Sequence, residues 1–187
     1  MIDLSKILER CKKHERKAQK ELYDVYSPIL LGICIRYAKS KFEAEDVLQE
    51  GFIKILTKIN DFKGDGSFEG WMKRIVVNTA ISHYNKNKKH NEIYDIGDIN
   101  ETDIKGHTFE SNNFTSEELF KVIDNLPEGY KVVFNLYAIE GYKHKEIAEM
   151  LNINQNTSKS QYSRAKERLR QKLDAISKIK AKNDTQE

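Results

Sequence analysis

The sequence predicts an all-α protein of two small helical domains joined by a flexible acidic linker. Three observations carry this prediction. Prolines stand only at positions 28 and 127. Apolar residues recur at three- and four-residue spacing through most of the chain, with neither strand-like alternation nor an internal repeat. From His90 to about Thr115 that periodicity stops, and Gly97, Gly106, polar residues and acids take over. The expected boundaries are 1–90, a linker over 91–115, a second domain over 116–182 and a tail over 183–187.

In the first domain Leu22, Tyr26, Ile29, Leu30, Ile33 and Tyr37 form one apolar stripe. Pro28, after Ser27, either starts a helix there or interrupts a longer one. Leu48, Phe52, Ile55 and Ile59 form a second stripe, on a helix running from about Glu43. The other side of that helix holds Asp46, Gln49, Glu50 and Ile53. An isoleucine exposed among acids reads as a protein-binding surface; the acids alone also suit an ordinary helix start that complements the dipole. DFKGDGSFEG, Asp61 to Gly70, carries three glycines and reads as a loop. A helix follows, from Ser67–Trp71 to about Lys89.

Periodicity resumes at Ser116, where SEEL has the form of a capping box. That helix carries Leu119, Val122, Ile123 and Leu126, and Pro127 ends it. The next runs through Leu136 and stops near Glu140–Gly141. A short helix with Ile147, Ala148 and Leu151 inward, a turn at Asn152-Ile153-Asn154, and a long polar helix from about Gln155 complete a helix-turn-helix. The architecture is thus an N-terminal helical bundle and a C-terminal helix-turn-helix domain. By angle, Ser158, Tyr162, Ala165 and Leu169 face inward. Asn156, Lys159, Ser160, Ser163 and Arg164 face outward, side chains of the types that reach base edges and phosphates. Thr157 suits a phosphate contact near the helix start. Ser158 is the oddity, a hydroxyl where the period asks for an apolar residue.

Charge and composition narrow the function. Net charge is +3 and mean hydropathy −0.70. Glu92, Asp95, Asp98, Glu101, Asp103 and Glu110 crowd the linker against one base, Lys105, whereas Gly141 to Lys182 holds 11 Lys or Arg against four acids. A basic third behind an acidic strip suits a polyanionic partner, or simply a solvated helix surface. No apolar run is long enough to cross a bilayer, and the N-terminus has no uninterrupted apolar core, so a cytoplasmic protein is expected. Cys11 and Cys34 form no CxxC, and the five histidines are scattered, so neither a disulfide framework nor a metal is expected. There is no nucleotide loop, GxSxG or HExxH. The expectation is therefore a non-enzyme without a cofactor.

The ordered motifs EAEDVLQE (43–50), Phe52, FKGDGSF, WMKRIVVNTA, LP (126–127), Tyr137, EGYKHKEIAEML and SRAKERLRQKL resemble the extracytoplasmic-function (ECF) group of sigma-70-type sigma factors, from about Leu22 to Leu173. The resemblance implies an alternative sigma factor whose partners are core RNA polymerase, promoter DNA and an anti-sigma factor, with no membrane insertion. Its first domain would dock on the β′ clamp helices through Asp46, Gln49, Glu50 and Ile53. The loop Phe62 to Gly70 and the helix behind it would recognise and open the −10 element. There Arg74, Asn78, Ser82 and Asn85 share one face, and Lys86, Lys88 and Lys89 offer phosphate contacts; aromatic stacking and a basic groove suit single-stranded bases. Trp71 reads equally as a core residue. Asn156, Thr157, Lys159, Ser160, Ser163 and Arg164 would read the −35 element. The linker would thread toward the RNA exit channel, as an RNA mimic or as a simple spacer. A conventional helix-turn-helix regulator, the main rival, leaves EAEDVLQE and the aromatic loop unexplained.

Departures from the family pattern are Lys12-Lys13-His14 for a Gly-Asp turn, Val77 and Ser82 for an Arg and an Asp, and Ser158 for a core Val. Tyr162 stands for a smaller aliphatic residue, its ring expected to fill the space that Ser158 leaves.

Overall fold

The computed structural model describes residues 4–90 and 114–183, with side chains over 4–87 and 114–180. Most of the expected linker (91–113) and tail (184–187) lies outside the described residues. Every regular element among the described residues is helical, and contacts divide the chain into two compact units, Met1–Ile93 and Tyr94–Glu187.

In unit 1, α1 (Leu4–Lys12) and α2 (Arg16–Tyr37) meet at a turn where His14 has φ 58°. Arg10 spans this turn, donating to Glu15 at 2.8 Å and to Glu21 at 3.0 Å. α3 (Lys41–Thr57) begins behind Ser40, whose hydroxyl accepts the Glu43 N–H at 3.1 Å and so satisfies a first-turn amide. A 3-10 turn, Ile59–Asp61, leads into the glycine loop, where Gly64 and Gly66 take φ 86° and 92°, a region glycine enters without strain. α4 (Phe68–His90) closes the bundle.

The core joins Leu22, Leu30 and Ile33 of α2, Val47, Leu48, Phe52 and Ile55 of α3, and Met72, Val76, Ala80 and Ile81 of α4. A Cβ at Gly51 would meet Val76 Cγ2 at 3.1 Å, so the missing side chain lets α3 and α4 close up. One open alternative is decided, and one residue of the stripe differs. Pro28 lies inside one continuous 22-residue helix. It cannot donate to the carbonyl one turn back, but buried Leu22, Leu30 and Ile33 hold α2 to the bundle on either side of that gap. Ile29 is 45% exposed, because Leu30, about 100° round the helix, takes the inward position.

In unit 2, α5 (Ser116–Asp124) carries a full capping box: the Thr115 hydroxyl accepts the Glu118 N–H, and the Glu118 carboxylate accepts the Thr115 N–H. The sequence placed the capping signal at SEEL; the cap itself is the preceding threonine. Leu119 stands 39% exposed, while Val122 and Leu126 go inward. Pro127 precedes α6 (Glu128–Phe134), which runs on as one π-helical turn, Asn135–Ile139. Gly141, at φ 78°, ends it as expected. α7 (His144–Leu151) and α8 (Gln155–Asn183) follow. Val122, Leu126, Ala165, Leu169 and Leu173 form one core cluster, with Phe114, Ile123, Tyr130, Phe134 and Ile176 packed against it.

Candidate functional site

α7 and α8 form the helix-turn-helix. Asn152 takes the left-handed conformation (φ 52°) and Ile153 N–H donates back to Ala148 at 3.0 Å, which reverses the chain within three residues. Asn154 then caps α8, its side-chain oxygen accepting the Asn156 N–H at 2.8 Å. Ile147, Ala148 and Leu151 are buried, as are Ser158, Ala165 and Leu169, in line with the angular reading; Tyr162 is half-buried, and Gln161, which that reading did not turn inward, is buried.

On the outer face Asn156 and Lys159 are exposed, and Thr157, Ser160, Ser163 and Arg164 are half-buried. Ser160 donates to the Thr157 carbonyl at 3.0 Å, which leaves its oxygen free to accept. Arg164 donates to the Tyr130 hydroxyl at 3.3 Å, so it sits at the α6 edge of the face rather than at its centre. Thr157, two turns earlier, lies on the same edge. The basic flank is braced by rings: Lys166 lies 4.9 Å from the Tyr162 ring centre and Arg168 5.6 Å from that of Tyr130. Sequence reading passed over Glu167, which is exposed and continues the row Asn156, Ser160, Ser163 at helical spacing; a carboxylate there can accept from a cytosine amino group.

On α3, Asp46, Gln49 and Ile53 are exposed together, Ile53 by 65%. Phe42, 73% exposed, extends the row to spacings of four, three and four. It was missed because it precedes the expected start at Glu43; the Ser40 cap is the signal that would have found it. Glu50, one turn after Asp46, is tied down instead. Half-buried, it accepts from Lys54 Nζ at 2.6 Å and lies 2.6 Å from His83 Nε2 on α4. The Lys54 hydrogen bond first, then that of His83, pulls its pKa down to about 2.

On α4, Arg74, Asn78, Ser82 and Lys86 are exposed and Asn85 half-buried. The Ser82 hydroxyl donates to the Asn78 carbonyl at 2.8 Å. The side chains of Lys88 and Lys89 lie outside the described residues. Val77 is buried in the core, so it presents no contact where the family has an arginine. Trp71 is half-buried, stacked on Phe68 at 5.5 Å and tilted against Phe62 at 5.6 Å. Phe68 also meets Phe62 and Tyr26, so this aromatic cluster pins the glycine loop to α2 and α4.

Comparison with known proteins meets this geometry at both units. Sigma-70 region 2 matches residues 22–90, and Sigma-70 region 4 matches residues 116–169. The two units thereby define a sigma-70-type transcription factor. The ECF RNA polymerase sigma-E factor of Haemophilus influenzae is 31% identical over 184 residues, spanning 91% of this chain and 95% of that relative. The sigma-E factor of Escherichia coli is 29% identical over 180 residues, with 91% and 94% covered. The chain belongs to the ECF RNA polymerase sigma factor family, and it acts in directing transcription initiation. Among solved structures, the sigma factor RpoE of Bartonella quintana, in complex with the anti-sigma factor NepR, shares the fold at TM-score 0.50 and 22% identity, over 83% of this chain and 96% of that one. No described helix is long and apolar enough to cross a membrane.

Proposed function

We propose that the chain is an alternative sigma factor whose two units divide the work of promoter recognition. Unit 1 docks on the β′ clamp helices of core RNA polymerase through Phe42, Asp46, Gln49 and Ile53. Its α4 face, Arg74, Asn78, Ser82 and Asn85 with Lys86, Lys88 and Lys89, holds the opened −10 element. Unit 2 reads the −35 element in the major groove through Asn156, Lys159, Ser160 and Ser163, with Thr157 and Arg164 on phosphate at the edge. Glu50, at the border of the docking face, supports it by fastening α3 to α4. The factor works in the cytoplasm as a non-enzymatic subunit and is held in check by an anti-sigma factor.

The observation that carries this reading is the pair of exposed faces. An apolar and acidic row on α3 suits a protein partner, and a polar row on the second helix of a helix-turn-helix suits base edges. The acidic segment from Asn91 to Glu110 belongs to the linker. Its charge suits a basic channel built for nucleic acid, and a plain spacer is the alternative.

The test combines the full chain with core RNA polymerase and a genomic promoter library, followed by mapping of transcript starts. New start sites sharing two spaced elements are expected. Duplex binding by the chain alone, with no new starts, would sink the reading. Lys159→Ala should weaken −35 use by about 1–3 kcal/mol per lost base contact and leave polymerase affinity unchanged. Asp46→Lys with Ile53→Asp should do the reverse.

A further inference from the structure

Ser158 is fully buried at the first turn of α8, at a position that the helical period reserves for an apolar side chain. A buried hydroxyl left without a partner is costly, and hydroxyls on helices commonly settle this by donating to their own backbone one turn back. Thr57, Thr79 and Ser82 do so in this chain, at 2.8, 2.9 and 2.8 Å. Ser158 reaches across instead. Its oxygen lies 3.0 Å from His144 Nδ1, the imidazole at the first turn of α7. Either the ring N–H donates to the hydroxyl or the hydroxyl donates to the ring nitrogen. The bond thus ties the opening turns of both helices of the motif.

The imidazole is itself held. It stacks on Tyr137 at 4.2 Å and 13°, and lies 5.8 Å from Tyr162, which in turn meets Tyr137 at 4.5 Å and Phe134 at 6.0 Å. Tyr162 is one turn beyond Ser158 on the same inner face, so the ring plate and the hydrogen bond grip successive turns of α8. Asn156, Lys159 and Ser160 flank Ser158 within that grip. A small change in the seating of Ser158 therefore moves the candidate base-reading side chains directly.

We infer that His144 and Ser158 act as one positioning pair that sets the pose of α8 for base readout, each making the other tolerable. The inference rests on the proposed reading of α8 as the −35 helix. It makes His144 a determinant of promoter specificity that has no base contact of its own.

The experiment uses holoenzyme assembled from core polymerase and the full chain, on a promoter fragment with an intact or a scrambled −35 element. The readout is the ratio of the two affinities, which an inactive fraction of protein does not change. Ser158→Val and His144→Phe should each lower the ratio by about tenfold. The double variant replaces the polar pair by an apolar one and should recover to within about threefold of the wild type. His144→Asn, whose side-chain amide reaches the place of Nδ1, should retain more of the ratio than His144→Phe. Thermal melting of each variant verifies that it folds. Additive losses in the double variant, or single variants with an unchanged ratio, overturn the pairing while the −35 reading stands. A wild-type holoenzyme that shows no preference for the intact element overturns the −35 reading and the pairing with it.

Discussion

Units 1 and 2 fasten their functional helices by opposite means. In unit 1 the seam between α3 and α4 is a half-exposed row of charges laid over an apolar core. Asn87 donates to Glu43 at 2.6 Å, Glu50 takes both Lys54 and His83, and Lys54 goes on to Thr79 at 3.2 Å. In unit 2 the seam between α7 and α8 is neutral and centred on fully buried Ser158, with His144 and Tyr162 half-buried around it and Tyr137 exposed at its edge. Solvent access explains the contrast. Charges at a wet seam keep part of their hydration and gain little net energy from pairing. A fully buried position tolerates a polar group only when that group is neutral and bonded. The charged seam of unit 1 can therefore stand beside the partner-facing row without being part of it. In unit 2 the polar inner residue and the outer reading row share one turn of helix.

The largest expected effect asks whether the core or the charged row holds unit 1 together. Ile55 is fully buried on α3. Ile55→Ala should destabilise unit 1 by about 2–5 kcal/mol, the range for emptying a buried aliphatic site. Calorimetry should show that loss, with the melting of unit 2 unchanged. A loss under about 1 kcal/mol would move the weight onto the charges, contrary to their usual value when exposed.

A smaller effect comes from the charged fastening that unit 2 does have. α5 is tied by the Thr115–Glu118 box and by Lys180 of α8, which donates to Glu118 at 2.8 Å and lies 5.6 Å from the Phe114 ring centre. Thr115→Ala removes a cap that typically contributes about 1 kcal/mol. Thermal melting of unit 2 should fall accordingly. A larger loss would mean that α5 depends on its cap more than on Val122 and Leu126.

These elements also mark how far the sequence was readable. The helices from α2 onward, the glycine loop, the turn at Asn152 and most of the inward face of α8 follow from 3.6-residue spacing and from glycine or asparagine at positive φ, both local properties of the chain; α1 (Leu4–Lys12) was not among the expected helices. Glu50, Arg164 and Ile29 were harder. Each lies on the predicted helix, yet its surroundings on other helices set its placement: His83 holds Glu50, Tyr130 holds Arg164, and Leu30 rather than Ile29 is buried in the bundle. Periodicity measures an angle around one axis and carries no information about where the next axis lies. Ser158 was legible as an exception, but its partner was not, since His144 is 14 residues away and on another helix.

Glu50 itself gives the third test. Glu50→Gln keeps the shape and removes the charge, and with two-fifths of the side chain exposed the loss should stay below about 1 kcal/mol. The pH dependence has a definite sign. The folded-state pKa is about 2 against an ordinary 4.5, so the carboxylate's contribution is fully present above about pH 4.5 and disappears as pH falls toward 2. The wild type and the Gln variant should converge in melting temperature across that window. Parallel curves would show that the seam does not depend on the Glu50 charge.

The smallest effect is expected on the neutral side of the comparison, and it has the more diagnostic window. Burial, then the positive charge of Lys159, holds the His144 pKa below its ordinary 6.5. A base whose pKa is lowered by folding is more easily protonated when unfolded. Stability of unit 2 therefore rises with pH through the interval below 6.5, and is lost as pH falls from 6.5 through the folded-state value. His144→Asn carries no proton in this range, so subtracting its melting curve from the wild type's isolates the imidazole from the carboxylates that titrate lower down. The difference should be flat above pH 6.5 and should turn against the wild type below it. If the difference turned toward the wild type instead, the imidazolium would be the form that the site favours, and the seam of unit 2 would be charged after all, like that of unit 1.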